Sequence, residues 1–363
     1  MKEVELQLAG ALRQQLEKIP SIEIRSIVAE AELKTNRSMP VQRPDVLAQL
    51  CVHDREVTLI CEVKELAYPR QIRQAIDTLS VYMARSENRA NHENMVGLVA
   101  ASWLSPESRE ICAQAGMGWI DLAGNCRIAF DGVFIERETA ERPKPAARNY
   151  RAVFSPKAGQ VLRTLLRDPA RAWKVTELAE ASDVSLGHVS NVRSALRDRE
   201  WGIVDNEGLH LTAPDALLDA WRDSYEQVRG KRTSWYSVLH GRQWEEALRE
   251  ELRGPQIEGH AMLGGLSAAQ WLAPYMRGNT TTLYADTSVM PQLIDVLKLK
   301  PTKSGANVEI IEPDDPAILK ERVEIAGAPP VSSPVLTYLD LSRLDDRGRE
   351  AADHLREKLL KWH

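Results

Sequence analysis

Residues 43–65 read RPDVLAQLCVHDREVTLICEVKE, and the fold turns on how that stretch is understood. Two runs rich in valine, leucine and isoleucine flank His53-Asp54-Arg55, where a turn is expected. The pattern predicts a β-hairpin. Three charged residues interrupt it: Asp45, Glu62 and Lys64. Side chains two apart on a strand share a face, so Glu62 and Lys64 project together. Across an antiparallel hairpin turning at 53–55, position 45 lies opposite 62 or 63. Two carboxylates and one ammonium therefore converge on one spot.

That grouping has a chemical use. Two carboxylates supply oxygen ligands for Mg²⁺ and leave positions open for water and phosphate. A bound metal lowers the pKa of water and stabilises charge on a phosphoryl group. A lysine can orient the attacking water or neutralise the phosphate. The competing reading is an edge hairpin whose charges reach solvent or form a surface ion pair.

The surrounding elements fit a single α/β domain. Residues 3–18 carry Val4, Leu8, Ala11, Leu12 and Leu16 near helical spacing. Residues 22–34 are strand-like, 71–86 are helical and 95–103 form a buried strand. Ser105-Pro106 signals a helix start. WIDLAGNCRIAF and GVFIERE give further strands, with a turn at Asp131-Gly132. The segment resembles the PD-(D/E)xK nuclease superfamily, with Pro44-Asp45 as PD and Glu62-Val63-Lys64 as ExK. The resemblance implies a restriction-endonuclease-like domain in which Asp45 and Glu62 bind Mg²⁺ and Lys64 is catalytic. It also implies that Gln74, with Tyr82, belongs to the helix after the ExK strand. An acidic residue on the first helix would complete the site, and Glu5 and Glu17 are both available.

With 363 residues the chain is too long for one ordinary core, so two or three domains are expected. Its 43% hydrophobic and 27% charged residues are those of a soluble globular protein. No apolar run approaches the roughly 18 residues that span a bilayer, and the N-terminus lacks a signal-peptide core. A cytoplasmic protein without membrane partners is expected. Cys51, Cys61, Cys112 and Cys126 form no CxxC pair, and the eight histidines are scattered, which argues against zinc and disulfides. The net charge of −5 restricts any nucleic-acid contact to a local patch.

The stretch ERPKPAARNYRA breaks the periodicity and predicts a linker at 141–153. Beyond it lie a helix after Ser155, a second started by Thr176, a turn at 181–184, a third helix capped by Ser185, and a hairpin with Asn206-Glu207-Gly208 at its tip. WKVTELAEASDVSLGHVSNVRSALRDREWGIV looks like a winged helix-turn-helix. Its third helix would present Ser185, His188, Ser190, Asn191 and Arg193 to double-stranded DNA. Val184, Leu186, Val189, Val192 and Leu196 would form its core stripe. Asp205 and Glu207 on the wing oppose phosphate binding. A protein contact or homodimer face is the competing use.

The remainder alternates helices (WEEALREEL, SAAQWLAPYM, MPQLIDVLKL) with strands (TTTLYAD, NVEIIE, VLTYLDL). Gly264-Gly265 lacks the lysine of a phosphate loop, and the paired aspartates of a nucleotidyltransferase are missing. WIDLAGNCRI, GLSAAQWLAPY and residues 331–360 resemble transcriptional regulators grouped with AbiEi-type antitoxins of type IV toxin–antitoxin systems. That resemblance implies a toxin or defence-system partner, although those antitoxins usually place the winged helix at the N-terminus. Asp121 and Asn125 in WIDLAGN either make a capped turn or line the cleft of the nuclease hairpin.

The expected architecture is multidomain α/β: a nuclease-like domain at 1–140, the linker, a central winged helix-turn-helix domain at 154–232, and a C-terminal α/β interaction domain at 233–363. Two functions follow. One is a DNA-binding protein with metal-dependent phosphodiester hydrolysis. The other is a transcriptional regulator of the AbiEi type whose nuclease-like domain is silent.

Overall fold

The hairpin is formed by β2 (Val46–Val52) and β3 (Arg55–Lys64), paired antiparallel from Val46 opposite Cys61 to Val52 opposite Arg55. His53 and Asp54 both have positive φ, 48° and 64°, which a two-residue turn needs to match the right-handed strand twist. These coordinates are a computed structural model that describes residues 2–29, 43–65, 67–86, 94–130, 132–139 and 152–362. Most of the expected linker, residues 141–151, and Asp131 of the expected turn lie outside the described residues.

The hairpin is part of a seven-stranded sheet whose strands follow chain order. The sheet comprises β1 (Ile22–Ala29), β2, β3, β4 (Met95–Ala101), β5 (Gly118–Asp121), β6 (Cys126–Phe130) and β7 (Val133–Arg137). The β3–β4 and β4–β5 pairs are parallel and the others antiparallel. Parallel neighbours require crossovers, here α2 (Pro69–Ser86) and α3 (Pro106–Gln114). The first helix, α1 (Lys2–Leu16), packs on the opposite face. On that face Leu8, Leu12 and Leu16 join Leu59, Cys61 and Val63 in one core cluster. On the other, Ile72 and Leu79 of α2 and Cys112 of α3 join Ile60 and Val99. Both faces of β3 are covered, which is why LICEV reads as a continuous apolar run rather than an alternation.

The chain divides into two compact units, Met1–Tyr150 with Ser194–Glu200, and Arg151–Arg193 with Trp201–His363. The second begins with α4 (Pro156–Arg167), α5 (Val175–Ser182) and α6 (Leu186–Asp198), the last turn of α6 being counted with the first unit. Next come β8 (Gly202–Val204), β9 (Leu209–Leu211) and α7 (Pro214–Ser224). Val161, Leu162, Leu165 and Leu166 give α4 a buried face, and Leu178, Trp173, Leu209 and Trp221 are buried as well. Trp173 exchanges both main-chain hydrogen bonds with Leu209 at 2.9 Å. Gly208, at φ +143°, is needed there, because a Cβ would lie 2.4 Å from the Trp173 carbonyl oxygen. The second helix starts at Val175, one residue before the threonine expected to start it, and Lys174 at its cap makes no side-chain capping bond.

The C-terminal part is a second seven-stranded sheet, in the order β13-β10-β14-β12-β11-β16-β15. Its strands are β10 (Gly230–Ser237), β11 (Ala261–Leu263), β12 (Thr281–Ala285), β13 (Leu299–Pro301), β14 (Val308–Pro313), β15 (Arg322–Val323) and β16 (Val331–Ser332). The domain boundary expected at 232/233 falls within β10. The helices are α8 (Gly241–Glu251), α9 (Gly265–Leu272), α10 (Met290–Val296), α11 (Pro334–Leu341) and α12 (Asp346–Leu359). One expectation is overturned here: VLTYLDL is not a strand but α11. Ser333 caps it, its hydroxyl accepting from the Leu336 amide at 3.3 Å, and Pro334 occupies the first turn. Every residue from Val335 to Leu341 is buried, so the segment shows no periodicity by which to recognise a helix.

The observed fold is thus mixed α/β in both units. Among the described residues no helix is long and apolar enough to cross a membrane.

Candidate functional site

The register places Asp45 one step beyond the Val46–Cys61 pair, level with Glu62. Asp45 Oδ2 accepts a hydrogen bond from the Val63 amide at 2.7 Å, so the side chain closes the open end of the hairpin as a main-chain carbonyl would. Lys64 Nζ donates to Glu62 Oε2 at 3.2 Å. Glu62 is only 6% exposed, while Asp45 and Lys64 are half-buried. Asp45, Glu62 and Lys64 are therefore neighbours at one end of β2 and β3.

Burial pushes the Glu62 carboxyl above the usual carboxylate range, and Asp45 pushes it the same way. Lys64 opposes both, by charge and by hydrogen bond. The thiol of Cys61 is pushed up to about 12 by burial first, then by Asp45 and Glu62. Asp45 and Glu62 thus add negative charge at this end of the hairpin, which Lys64 offsets in part. Hard carboxylate oxygens suit Mg²⁺, and two of them with open surroundings fit an ion that retains several waters. Among the described residues no group of three or more His, Cys, Asp and Glu side chains is arranged to hold a metal. Any ion here would rest on Asp45 and Glu62.

A stability prediction follows. A raised native pKa means that the unfolded chain gives up the Glu62 proton first as pH rises. The native state therefore loses stability as pH climbs through and above the ordinary carboxylate range. Glu62→Gln, neutral throughout, is expected to raise the urea midpoint near pH 7 and to gain less near pH 4. Equal midpoints at both pH values would contradict the field ascribed to burial and Asp45.

The helix residues fall differently. Gln74 is exposed on α2, and Tyr82 is half-buried against the α2–α3 core. Three positions earlier, Gln71 is half-buried and its Oε1 is sealed from solvent, with no hydrogen-bond partner among the described residues. Nothing local distinguishes the two glutamines, since both lie in the same polar run. Of the two acids considered for the first helix, Glu5 lies on α1 and is 5% exposed, whereas Glu17 lies just past its end, is exposed and pairs with Arg13 at 3.8 Å.

WIDLAGN forms the capped turn. Asp121 is fully buried on β5 and aligned through Ala101 with Lys64. Its carboxylate accepts from the Asn125 amide at 3.0 Å, from Asn125 Nδ2 at 2.9 and 3.1 Å, and from the Leu104 amide at 3.2 Å. Arg109 Nη2 lies 3.8 Å away, over the ring of Trp119. Asn125 Oδ1 in turn accepts from the main chain and hydroxyl of Thr139. These bonds tie β5, the loop before α3 and the end of β7 together. Asp121 is thereby engaged in structure rather than available to a ligand.

In the segment read as a helix-turn-helix, Asp183 takes φ +52° at the turn, and its carboxyl is held below the usual range by Lys320. Ser185 Oγ caps α6 and lies 2.9 Å from His188 Nδ1. Ser185, His188 and Asn191 are exposed, and Ser190 and Arg193 are half-buried. Val189, Val192 and Leu196 are buried as expected, but Leu186 is 52% exposed beside a depression of about 680 Å³ that also touches Lys157 and His188. At the hairpin tip Asp205 Oδ1 accepts from the Glu207 and Gly208 amides at 2.8 and 3.1 Å. Those amides hold its carboxyl low, so its charge persists while it shapes the turn.

Comparison with known proteins bears mainly on the C-terminal part. No curated protein matches the chain. A protein of the XisH family from Nostoc punctiforme is 12% identical, over 34% of this chain and 98% of that one, with a TM-score of 0.24. EndoMS in its apo form is 13% identical, over 32% of this chain and 45% of that one, with a TM-score of 0.21. Scores this low carry no argument about the fold. Residues 210–361 match the family described as transcriptional regulator, AbiEi antitoxin, of type IV toxin–antitoxin systems. The likeness to AbiEi-type regulators read from the sequence is thus supported over the C-terminal sheet and its helices.

Proposed function

We propose that the chain is a DNA-binding protein in which a winged helix at 154–232 selects the target and Asp45, Glu62 and Lys64 serve metal-dependent phosphodiester hydrolysis. One observation carries this reading: two carboxylates and an ammonium meet at the end of one hairpin, with Glu62 buried and its carboxyl raised. Asp45 and Glu62 would hold Mg²⁺, which when bound supplies Lewis acidity toward the phosphate and a more acidic water. Lys64 sits beside Glu62, where its ammonium can orient a water or meet a phosphate oxygen. The test is Mg²⁺-dependent cleavage of plasmid and linear DNA by the parent protein and by Lys64→Ala. A parent protein that leaves every DNA form intact with Mg²⁺ and Mn²⁺ sinks the hydrolytic reading.

A second reading has its own support. The match over 210–361 favours a transcriptional regulator of the AbiEi type, acting with a toxin partner, whose hairpin is catalytically silent. The Lys64–Glu62 ion pair is compatible with it, since it leaves Glu62 with a permanent partner. Both readings place Ser185, His188, Ser190, Asn191 and Arg193 against DNA. Arg193→Ala is expected to weaken binding by about 1–3 kcal/mol, with a shallower salt dependence if the lost contact is to phosphate. Anisotropy titrations at several salt concentrations measure both. Identical curves for parent and variant would remove Arg193 from the interface.

A further inference from the structure

A cavity of about 470 Å³ lies on one face of the C-terminal sheet, and neither functional reading uses it. Two cross-strand rows build its wall. Arg232, Ile311 and Tyr284 form the first, and Ser234, Glu309 and Thr282 the second. From α11, Asp340 completes the lining. Tyr284 and Ile311 are each 2% exposed and Asp340 7%, whereas Ser234 and Arg232 are exposed. The cavity thus runs from a polar mouth to a buried carboxylate.

The charges in it are unbalanced. Arg232 lies 3.5 Å from Glu309 and 3.4 Å from Gln227 Oε1. Asp340 accepts from two neutral donors, Tyr225 Oη and Tyr284 Oη, each at 2.7 Å. The two arginines whose charge reaches it, Arg232 and Arg163, are paired with Glu309 and Glu321. A carboxylate offers about four acceptor positions, and the tyrosines fill two. A buried carboxylate hydrogen-bonded only to neutral hydroxyls is costly unless a cation joins it. A ligand carrying its own N–H donors and a positive charge meets both needs, filling the free acceptor positions and balancing the buried charge.

We propose that this cavity binds a small organic cation, a primary amine or amidine, with its charged head on Asp340 and Glu309. Leu266 and Ile311 cover its carbon chain. Occupancy also acts on the helices that precede the sheet. Tyr225, which shares Asp340 with the cavity, ends α7, and Arg356 of α12 holds Asp215 and Asp219 of the same helix. A cation on Asp340 therefore changes the bond that fixes the end of α7.

The test is calorimetric titration of the full chain with putrescine and with agmatine, and with AMP as an anionic counter-probe. One saturable site per chain is expected for at least one amine, and none for AMP. Asp340→Asn should weaken amine binding at least about tenfold. Should that variant fail to fold, Ser234→Trp, which fills the exposed mouth, and Glu309→Gln must show the loss instead, with thermal unfolding unchanged. Absence of binding by both amines at concentrations of about 1 mM overturns the proposal. So does amine binding that persists in Ser234→Trp, or preference for AMP. None of these outcomes depends on whether the chain cuts or binds DNA.

Discussion

Lys64→Ala protein is expected to bind DNA like its parent and to cut it on the order of 10³-fold more slowly in Mg²⁺. The ammonium of Lys64 lies 3.2 Å from a buried carboxylate and is half-buried itself, so its charge acts in a medium less polar than water. Removing it leaves the β3 main chain unchanged, which makes it a cleaner probe than Asp45→Ala. Asp45 also accepts the Val63 amide, and its truncation would loosen the hairpin end as well as the site. Asp45→Asn separates these roles, because the amide oxygen still caps Val63 while the charge needed by a metal is gone. Nicking of supercoiled plasmid reports cleavage, and fluorescence anisotropy reports binding. If Lys64→Ala cuts at the parental rate, the hairpin is not the catalytic centre. If the parent binds DNA and never cuts it, the regulator reading stands alone.

Asp121→Ala is expected to destabilise the N-terminal unit by about 3–5 kcal/mol, the cost of leaving a buried charge without its partner. Domains of this kind are stable by roughly 5–15 kcal/mol, so the variant would stand near the edge of unfolding. Three donors lose their acceptor at once: the Asn125 amide, its side chain and the Leu104 amide. Arg109, 8% exposed, then keeps its bond to the Leu104 carbonyl at 3.0 Å and an exposed pair with Glu138 at 3.7 Å, but loses its buried carboxylate partner. Urea unfolding measures the loss. Adding Arg109→Met should recover part of it, since removing both partners is far milder than removing one. A loss below about 1 kcal/mol would mean that the network is dispensable.

Much of the first unit was legible because strand periodicity and turn chemistry act locally. Alternating burial in β2 and the His53-Asp54 turn fix the register, and register alone brings Asp45 level with Glu62. Capping signals at Ser105 were equally local: its hydroxyl accepts from the Ser108 amide at 3.1 Å. What escaped depends on contacts distant in sequence. Gln71 and Gln74 look alike in the chain, and only the packing of α2 buries one and exposes the other. Leu186 fits an apolar stripe but sits at the first turn of α6, where it stays 52% exposed. The two tyrosines on Asp340 come from positions 56 and 115 residues away, a separation no pattern reveals. VLTYLDL misled for a different reason: burial on all sides erases the period that distinguishes helix from strand.

The two sheets also differ in when they can form. In the first, every strand lies beside its neighbour in sequence, so pairing can proceed stepwise as the chain leaves the ribosome. In the second, β10 is flanked by β13 and β14, which are synthesised only after α8, α9 and α10 and two other strands have followed it. Until Leu299–Pro313 emerge, β10 presents both rows of its main-chain donors and acceptors unpaired, an invitation to misassociation. Arg232, Ser234 and Tyr236 lie on one side of that waiting strand and Lys231, Thr233 and Trp235 on the other, so each side carries a charged residue. The chain thus carries its slow-forming sheet last, with a strand whose composition suits the delay.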